Sequence, residues 1–391
     1  MRRVMSLWLG VTLLVTLAAC GATATPTGVA TVAPTKGAGG TTTNVASAAP
    51  TTGAGGAATT GAAGAATPTR AATSAATPRA AATSTRASGP LRKLTIGLGY
   101  IPDIQFAPFY VAKERGYFRD EGLDVEFKQG FETDMLKLLG TGALNFGVAG
   151  GDEVIVARSQ GVPLVYVASW FQKYPVTVMA LENANIRKAE DLKGRTIGVP
   201  GRYGATYVGL RALLDSAGLK ESDVQIREVG FNQVQALMQG QVEAVVGYTN
   251  NEPVQLKALG QAITTINVFD RVSLVSNGLI TDEKTQSSDP ELVRAVTRAF
   301  LRGVQDTLAD PEAAITVSIP TIPGAADKRD QLRAVLQASL PLYTNPQLAN
   351  GIGYSDPAVW SGSYELLKRL GFLGSDFDIT KTYTNQFLPK R

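Results

Sequence analysis

The sequence predicts an α/β protein of two lobes, each a mainly parallel sheet with helices on both faces, followed by a helical C-terminal segment. Three observations lead there. From Lys93 onward, short β-rich runs alternate with helical ones, the rhythm of strands joined through covering helices. The rhythm pauses and restarts once, near residue 183. The alternating region is also roughly three hundred residues long, more than one hydrophobic core usually holds.

The elements follow in order. "KLTIGLGY" reads as a strand, Pro108 to Arg115 as a helix, and "LDVEFKQ" as a strand. "ETDMLKLLGTG" (helix), "ALNFGVAG" (strand), "DEVIVARSQG" (helix) and "PLVYVASW" (strand) complete the first unit, and "PVTVMALEN" is a strand leaving it. Pro108 suits the first turn of its helix and Gly116 the stop. Pro108, Phe109, Val111 and Ala112 share the core face, with Tyr110 expected on the polar flank. The second unit starts with the strand "RTIGVPG", a helix from Tyr203 to Ala217 and the strand "VQIREVG". It continues with "FNQVQALMQG", "EAVVGYT", "EPVQLKALG" and "AITTINVF", after which "LVSNGLIT" returns to the first lobe. From Pro290 on, three amphipathic stretches read as helices.

The segments before Lys93 belong to no packed domain. Arg2 and Arg3 precede the apolar run "VMSLWLGVTLLVTLAAC", a charged and then hydrophobic leader too short for a stable membrane span. Its end, "LAAC", resembles the bacterial lipobox, in which Cys20 would carry the lipid. Cys20 is the sole cysteine of the chain, so no intrachain disulfide is possible. Residues 21–90 are almost wholly Ala, Thr, Gly, Ser and Pro, with no aromatic and no acidic residue. Such a segment cannot bury enough surface to offset ordering entropy. As a flexible coil it reaches roughly 45 Å and is read as a disordered stalk. The expected organisation is therefore a lipoprotein leader (1–20), a stalk (21–90), the first part of lobe 1 (91–182), lobe 2 (183–272), and a return to lobe 1 with C-terminal helices (273–391).

Charge and composition exclude several functions. Residues 1–90 hold six of the 37 basic groups and none of the 33 acidic ones, which leaves 31 against 33 in the folded part. The basic excess belongs to the leader and stalk, and no nucleic-acid footprint is expected. The chain has no histidine. Together with the single cysteine, this rules out a Ser-His-Asp triad, a Cys-His pair and histidine or thiolate metal sites. Carboxylate-only and Ser-Lys chemistry stay open in principle, but the balance is against an enzyme, and neither metal nor cofactor is expected.

In open α/β sheets, ligands sit beyond the carboxyl ends of strands, at helix N-termini. That rule selects Tyr100, Asp103, Gln105 and Phe106 in "GYIPDIQF", Glu132 in "GFETD", and Asp152 in "AGGDEV". It adds Trp170 and Tyr174 in "WFQKYP" near the expected hinge, Arg202, Tyr203 and Thr206 in "GRYGATY", and Tyr248, Asn250 and Asn251 in "YTNNE". Asp103 and Asp152 read equally well as helix-capping or turn residues, and Tyr248 equally well as core. "GRYGATY" lacks the Lys-Ser/Thr of a P-loop, which argues against a nucleoside triphosphate.

"APFYVAKERGYFRDEGLDVEF", "LKGRTIGVPG" and "VEAVVGY" resemble the solute-binding proteins of ABC importers, in the branch that includes thiamine-pyrimidine and sulfonate binders. The combination of "GYIPDIQFAPFYVA", "GDEVIVARSQG", "VYVASWFQKYPV", "GVPGRYGATYVGL" and "GYTNNE" is most similar to the riboflavin-binding lipoproteins of that branch. The resemblance spans residues 93–380. It implies the two-lobed periplasmic binding protein fold (type II-like), a monomer lipid-anchored at the extracytoplasmic face of the cell membrane, an ABC permease as partner, and riboflavin as cargo rather than cofactor. Some relatives are pyrimidine synthases that use a histidine and a cysteine-rich motif, and this chain has neither. The residues point the same way independently. They offer aromatic faces, uncharged amides, carboxylates and one arginine, a set suited to a planar heterocycle bearing hydroxyls. Phosphate, sulfonate or dicarboxylate ligands would ask for more cationic donors. A thiamine-precursor pyrimidine stands second, and a heterocycle-processing enzyme is a remote third.

Overall fold

A computed structural model describes residues 89–344 and 350–390. The Cys20 lipidation site, the leader and nearly all of the stalk lie outside the described residues. Ten strands are present among those described: β1 (Arg92–Gly97), β2 (Leu123–Lys128), β3 (Phe146–Gly150), β4 (Leu164–Ser169), β5 (Val176–Leu181), β6 (Thr196–Val199), β7 (Gln225–Glu228), β8 (Ala244–Tyr248), β9 (Ile263–Asn267) and β10 (Asn277–Asp282). Each of them falls in a run that the sequence marks as β-rich.

The strands form two five-stranded sheets, ordered β2-β1-β3-β10-β4 and β7-β6-β8-β5-β9. β1 runs parallel to β2 and β3, and β10 lies antiparallel between β3 and β4. The second sheet repeats the pattern: β6 is parallel to β7 and β8, and β5 lies antiparallel between β8 and β9. In each sheet the single antiparallel strand is the one that has just crossed from the other lobe. This corrects the expected boundary at residue 182. Strand β5 lies within the span assigned to lobe 1, but its hydrogen-bonding partners are β8 and β9. The first crossing is therefore the segment 170–175, and the return crossing precedes Asn277.

Strands β3 and β4 of the first sheet are almost wholly apolar because helices cover both faces. β3, β4 and β10 are buried throughout. One covering layer pairs the helix Ala107–Glu114 with the long C-terminal helix Pro290–Ala309, where Phe109 stacks on Phe300 at 4.5 Å. This packing also corrects the expectation for Tyr110. It is fully buried, and its hydroxyl lies 3.4 Å from the side-chain amide of Gln129, whose oxygen accepts from it. A helix covered on two sides has no polar flank at that position. Three further C-terminal helices follow among the described residues, Pro311–Ser318, Arg329–Tyr343 and Pro357–Arg369, the last two packing back onto the lobes through Leu336 and Tyr343 and through Trp360 and Leu367. No helix among the described residues is long and apolar enough to cross a membrane.

Candidate functional site

The carboxyl ends of both sheets face each other across a cleft of about 700 Å³, its open mouth included. Tyr100, Gln105 and Phe106 enter it after β1, Phe131, Glu132 and Thr133 after β2, and Glu153 after β3. Trp170 follows β4, and Asn277 opens the antiparallel β10. The second lobe supplies Pro200 and Tyr203–Thr206 after β6, Phe231 and Gln233 after β7, and Tyr248, Asn251 and Glu252 at the end of β8. Nine of the sequence-selected residues line this cleft: Tyr100, Gln105, Phe106, Glu132, Trp170, Tyr203, Thr206, Tyr248 and Asn251.

Aromatic rings from both lobes meet at the cleft. Phe131 stacks on Phe231 at 4.4 Å, Tyr100 meets Phe231 edge-on at 4.8 Å, and Tyr203 meets Phe131 edge-on at 5.8 Å. Tyr100 adopts a φ of 67°, left-handed backbone that a bulky residue seldom occupies outside functional or strained sites. The bridge between Gly130 N and Tyr100 O, 3.0 Å, fixes that turn. Trp170 is 2% exposed, packs on Phe106 and Phe171, and its Nε1 has no hydrogen-bond partner among the described residues.

Polar groups bridge the lobes beneath the rings. Asn251 Nδ2 donates to the Tyr100 hydroxyl at 3.2 Å. Asn277 Nδ2 donates to Glu132 Oε1 at 2.9 Å, and the same amide lies 3.2 Å from the Tyr248 hydroxyl. Three carboxyl groups line the cleft: Glu132, Glu153 and Glu252. Glu153 Oε2 accepts from the Gly150 amide at 3.1 Å, and Glu252 Oε2 from the Tyr248 amide at 2.8 Å. A glycine makes room at each place, since a Cβ on Gly150 would lie 2.2 Å from Asp152 Oδ1 and one on Gly247 2.4 Å from Glu252 Oε2. Burial pushes the Glu132 and Glu252 carboxyls up to about 7, and burial beside Glu132 raises Glu153 as well. None of the described residues lining the cleft is lysine or arginine.

The other five sequence-selected residues lie elsewhere, each for a local reason. Asp103 caps the turn Ile104–Phe106, accepting from Gln105 N at 3.0 Å, and burial raises it to about 6. Asp152 and Tyr174 form a buried bracket at the hinge. The Tyr174 hydroxyl lies 2.8 Å from Asp152 Oδ2 and 2.7 Å from the Ala205 carbonyl. One hydroxyl proton cannot serve two acceptors. The arrangement is satisfied when Tyr174 donates to Ala205 and a protonated Asp152 donates to Tyr174, in keeping with burial raising Asp152 to about 8. Asn250 turns away from the cleft and donates to Ser339 Oγ at 2.8 Å. Arg202 stands outside on the second lobe, paired with Glu221 and with Glu228 at 3.7 Å.

Phe131, Glu153, Phe231, Gln233, Glu252 and Asn277 line the cleft without having been singled out. A signal for two of them was present. The dipeptide Gly-Phe occurs at 130–131 and again at 230–231, one hundred residues apart, each time between an edge strand (β2, β7) and the helix that follows it.

Two sheets of this order, each completed by a strand from the other lobe, define a periplasmic binding protein fold. The alkanesulfonate-binding protein SsuA of Xanthomonas axonopodis pv. citri, solved bound to MOPS, superposes with a TM-score of 0.61 at 17% identity, covering 76% of this chain and 100% of that one. The NMT1/THI5-like family matches residues 103–314, and the chain belongs to it. The riboflavin-binding protein RibY of Chloroflexus aurantiacus is 39% identical over 309 residues, 78% of this chain and 88% of that protein. A 4-amino-5-hydroxymethyl-2-methylpyrimidine phosphate synthase of Legionella pneumophila is 24% identical over 303 residues, 76% and 92% of the two chains.

Proposed function

We propose that this chain is the lipid-anchored solute-binding component of an ABC importer, which captures riboflavin at the extracytoplasmic face of the cell membrane and delivers it to the permease. The observation that carries this reading is the cleft itself: aromatic rings from both lobes over a floor of amides and carboxyls, with no basic side chain among its described lining residues. A flat, uncharged isoalloxazine suits the rings, and the hydroxyls of a ribityl chain suit Asn251, Asn277 and the glutamates. Similarity to RibY supports the same ligand. Capture proceeds by closure about the segments 170–175 and 271–276, contacts from the second lobe favouring the closed state. Cys20 carries the anchor, and the chain works as a monomer that makes and breaks no bonds. The absence of histidine from the sequence supports binding over the synthase chemistry of the more distant relatives.

The second reading within the same class is a thiamine-precursor pyrimidine, supported by kinship with the pyrimidine synthases. Titration of riboflavin with the purified protein distinguishes the two. Quenching of flavin fluorescence at micromolar protein is the expected result. Absence of quenching, with heat evolved on adding an aminopyrimidine, would replace riboflavin with the pyrimidine.

A further inference from the structure

The lobes present carboxylates to the cleft from matching places, and one of them keeps an acceptor free. Glu153 follows the third strand of the first sheet, and Glu252 follows its counterpart in the second. Both oxygens of Glu252 are engaged, one by the Tyr248 amide and one by Gln233 Nε2 at 3.1 Å. Glu153 uses Oε2 on the Gly150 amide, while its Oε1 has no partner among the described residues although Glu153 is 5% exposed. That oxygen lies 3.3 Å from the Cβ position of Gly204, where the second lobe's helix Gly204–Ser216 begins. It therefore stands in the seam that a ligand would occupy. A buried acceptor without a donor costs free energy until one is supplied.

We propose that Glu153 is the specificity-determining residue of the cleft, its free Oε1 accepting a hydrogen bond from an uncharged N–H or O–H of the ligand. Together with Glu132 and Glu252 it excludes phosphorylated forms of that ligand. The inference rests on the reading of the cleft as a site for a small heterocycle and adds what the site rejects. A phosphate entering here would leave water for a space walled by three carboxyl groups, with no cation lining it to compensate. Discrimination of this kind works through repulsion. The uncharged parent compound meets no such repulsion.

The test measures affinities of the full chain for two matched pairs: riboflavin with riboflavin 5′-phosphate, and the hydroxymethyl-aminopyrimidine with its phosphate. In the pair that binds, the parent compound is expected to bind on the order of 100-fold more tightly than the phosphate. Glu153→Gln places an amide donor where Oε1 stood, so it should weaken the parent roughly tenfold and shrink the ratio from both ends. Glu132→Gln, at a second position, should shrink the ratio as well and serves if the first variant folds poorly. Equal affinity of the wild-type protein for parent and phosphate overturns this inference and leaves the ligand assignment standing. Discrimination within the pyrimidine pair alone overturns riboflavin and leaves the inference standing.

Discussion

The two lobes are built to one plan and differ in what they leave unfinished. Sheet order, the antiparallel fourth strand, the Gly-Phe turn and the carboxylate that folds back onto a strand-end amide all recur. In lobe 2 the acceptor oxygens of Glu252 and Asn251 are satisfied within the lobe, Glu252 by Tyr248 and Gln233 and Asn251 Oδ1 by Gln255 at 2.7 Å, while Asn251 Nδ2 and the Tyr248 hydroxyl reach across to lobe 1. In lobe 1 the equivalent glutamate has a free oxygen, and the preceding residue is Asp152, committed to the hinge. A repeated scaffold thus separates a self-contained wall from one that waits for a donor, and each difference can be tested by exchanging side chains at matching positions.

The largest effect is expected at the aromatic pair. Phe131 and Phe231 occupy equivalent turns and face each other. Loss of a ring that stacks on a planar base costs about 1–3 kcal/mol, so Phe131→Ala and Phe231→Ala should each weaken riboflavin roughly ten- to a hundredfold in a fluorescence titration. Similar losses from both variants mean the ring is sandwiched between the lobes. A loss confined to one variant would assign the stacking face to that lobe.

Next comes the glutamate pair, read through stability. Glu252 accepts from two N–H donors, and in Glu252→Gln one of them would face an amide NH2. A loss of about 1–3 kcal/mol is expected in denaturant unfolding. Glu153→Gln can keep its carbonyl on the Gly150 amide and turn its NH2 toward the unoccupied side, so a change within about 0.5 kcal/mol is expected. Equal losses would erase the distinction between the two walls.

Much of the scaffold was legible because its causes are local. Short β-rich runs mark most of the strands, and the rule that ligands gather at strand carboxyl ends found Tyr100, Glu132, Tyr203, Tyr248 and Asn251. What escaped depends on partners distant in sequence. Tyr110 is buried because Pro290–Ala309 covers its helix, and Asn250 turns from the cleft because Ser339 lies beside it. Asn277 was read only as part of a returning strand, though that strand's antiparallel direction puts its first residue at the cleft. Phe131 and Phe231 adjoin glycines in short loops, and only comparing the halves of the sequence would have drawn them out.

The pH dependence of stability belongs mainly to lobe 1. The folded state holds the Asp152 proton up to about pH 8, whereas an unfolded aspartate releases it near 3.8. This raised value contributes stability that is complete below about pH 4 and is lost as pH rises through 8. Glu132 and Glu252, raised to about 7, act with the same sign. The melting temperature should therefore fall between pH 5 and 8.5, by about 2–4 °C for each kcal/mol lost. Asn251 is the uncharged residue at the matching position of lobe 2. Asp152→Asn copies it, retains a donor for Tyr174, and should melt higher than the wild type at pH 8.5 while flattening the profile. A wild-type melting temperature that rises over this range would overturn the proton assignment at the hinge.

The smallest effect is expected from the one arginine that the sequence placed in the site. Arg202 sits in the loop after β6, the counterpart of the loop after β1 that carries Tyr100 into the cleft. Its side chain is 45% exposed and pairs with Glu221 and Glu228. Exposed pairs of this kind contribute about 0–1 kcal/mol. Arg202→Ala should change riboflavin affinity no more than about twofold and stability by less than about 1 kcal/mol. The experiment also bears on the exclusion of phosphate. If removing Arg202 selectively weakened riboflavin 5′-phosphate, the loop would have to swing its cation inward for an anionic ligand, and lobe 2 could no longer be the self-contained wall. An unchanged ratio of the two affinities instead leaves discrimination with the carboxyl groups of the cleft, where Glu153 Oε1 is buried without a partner among the described residues.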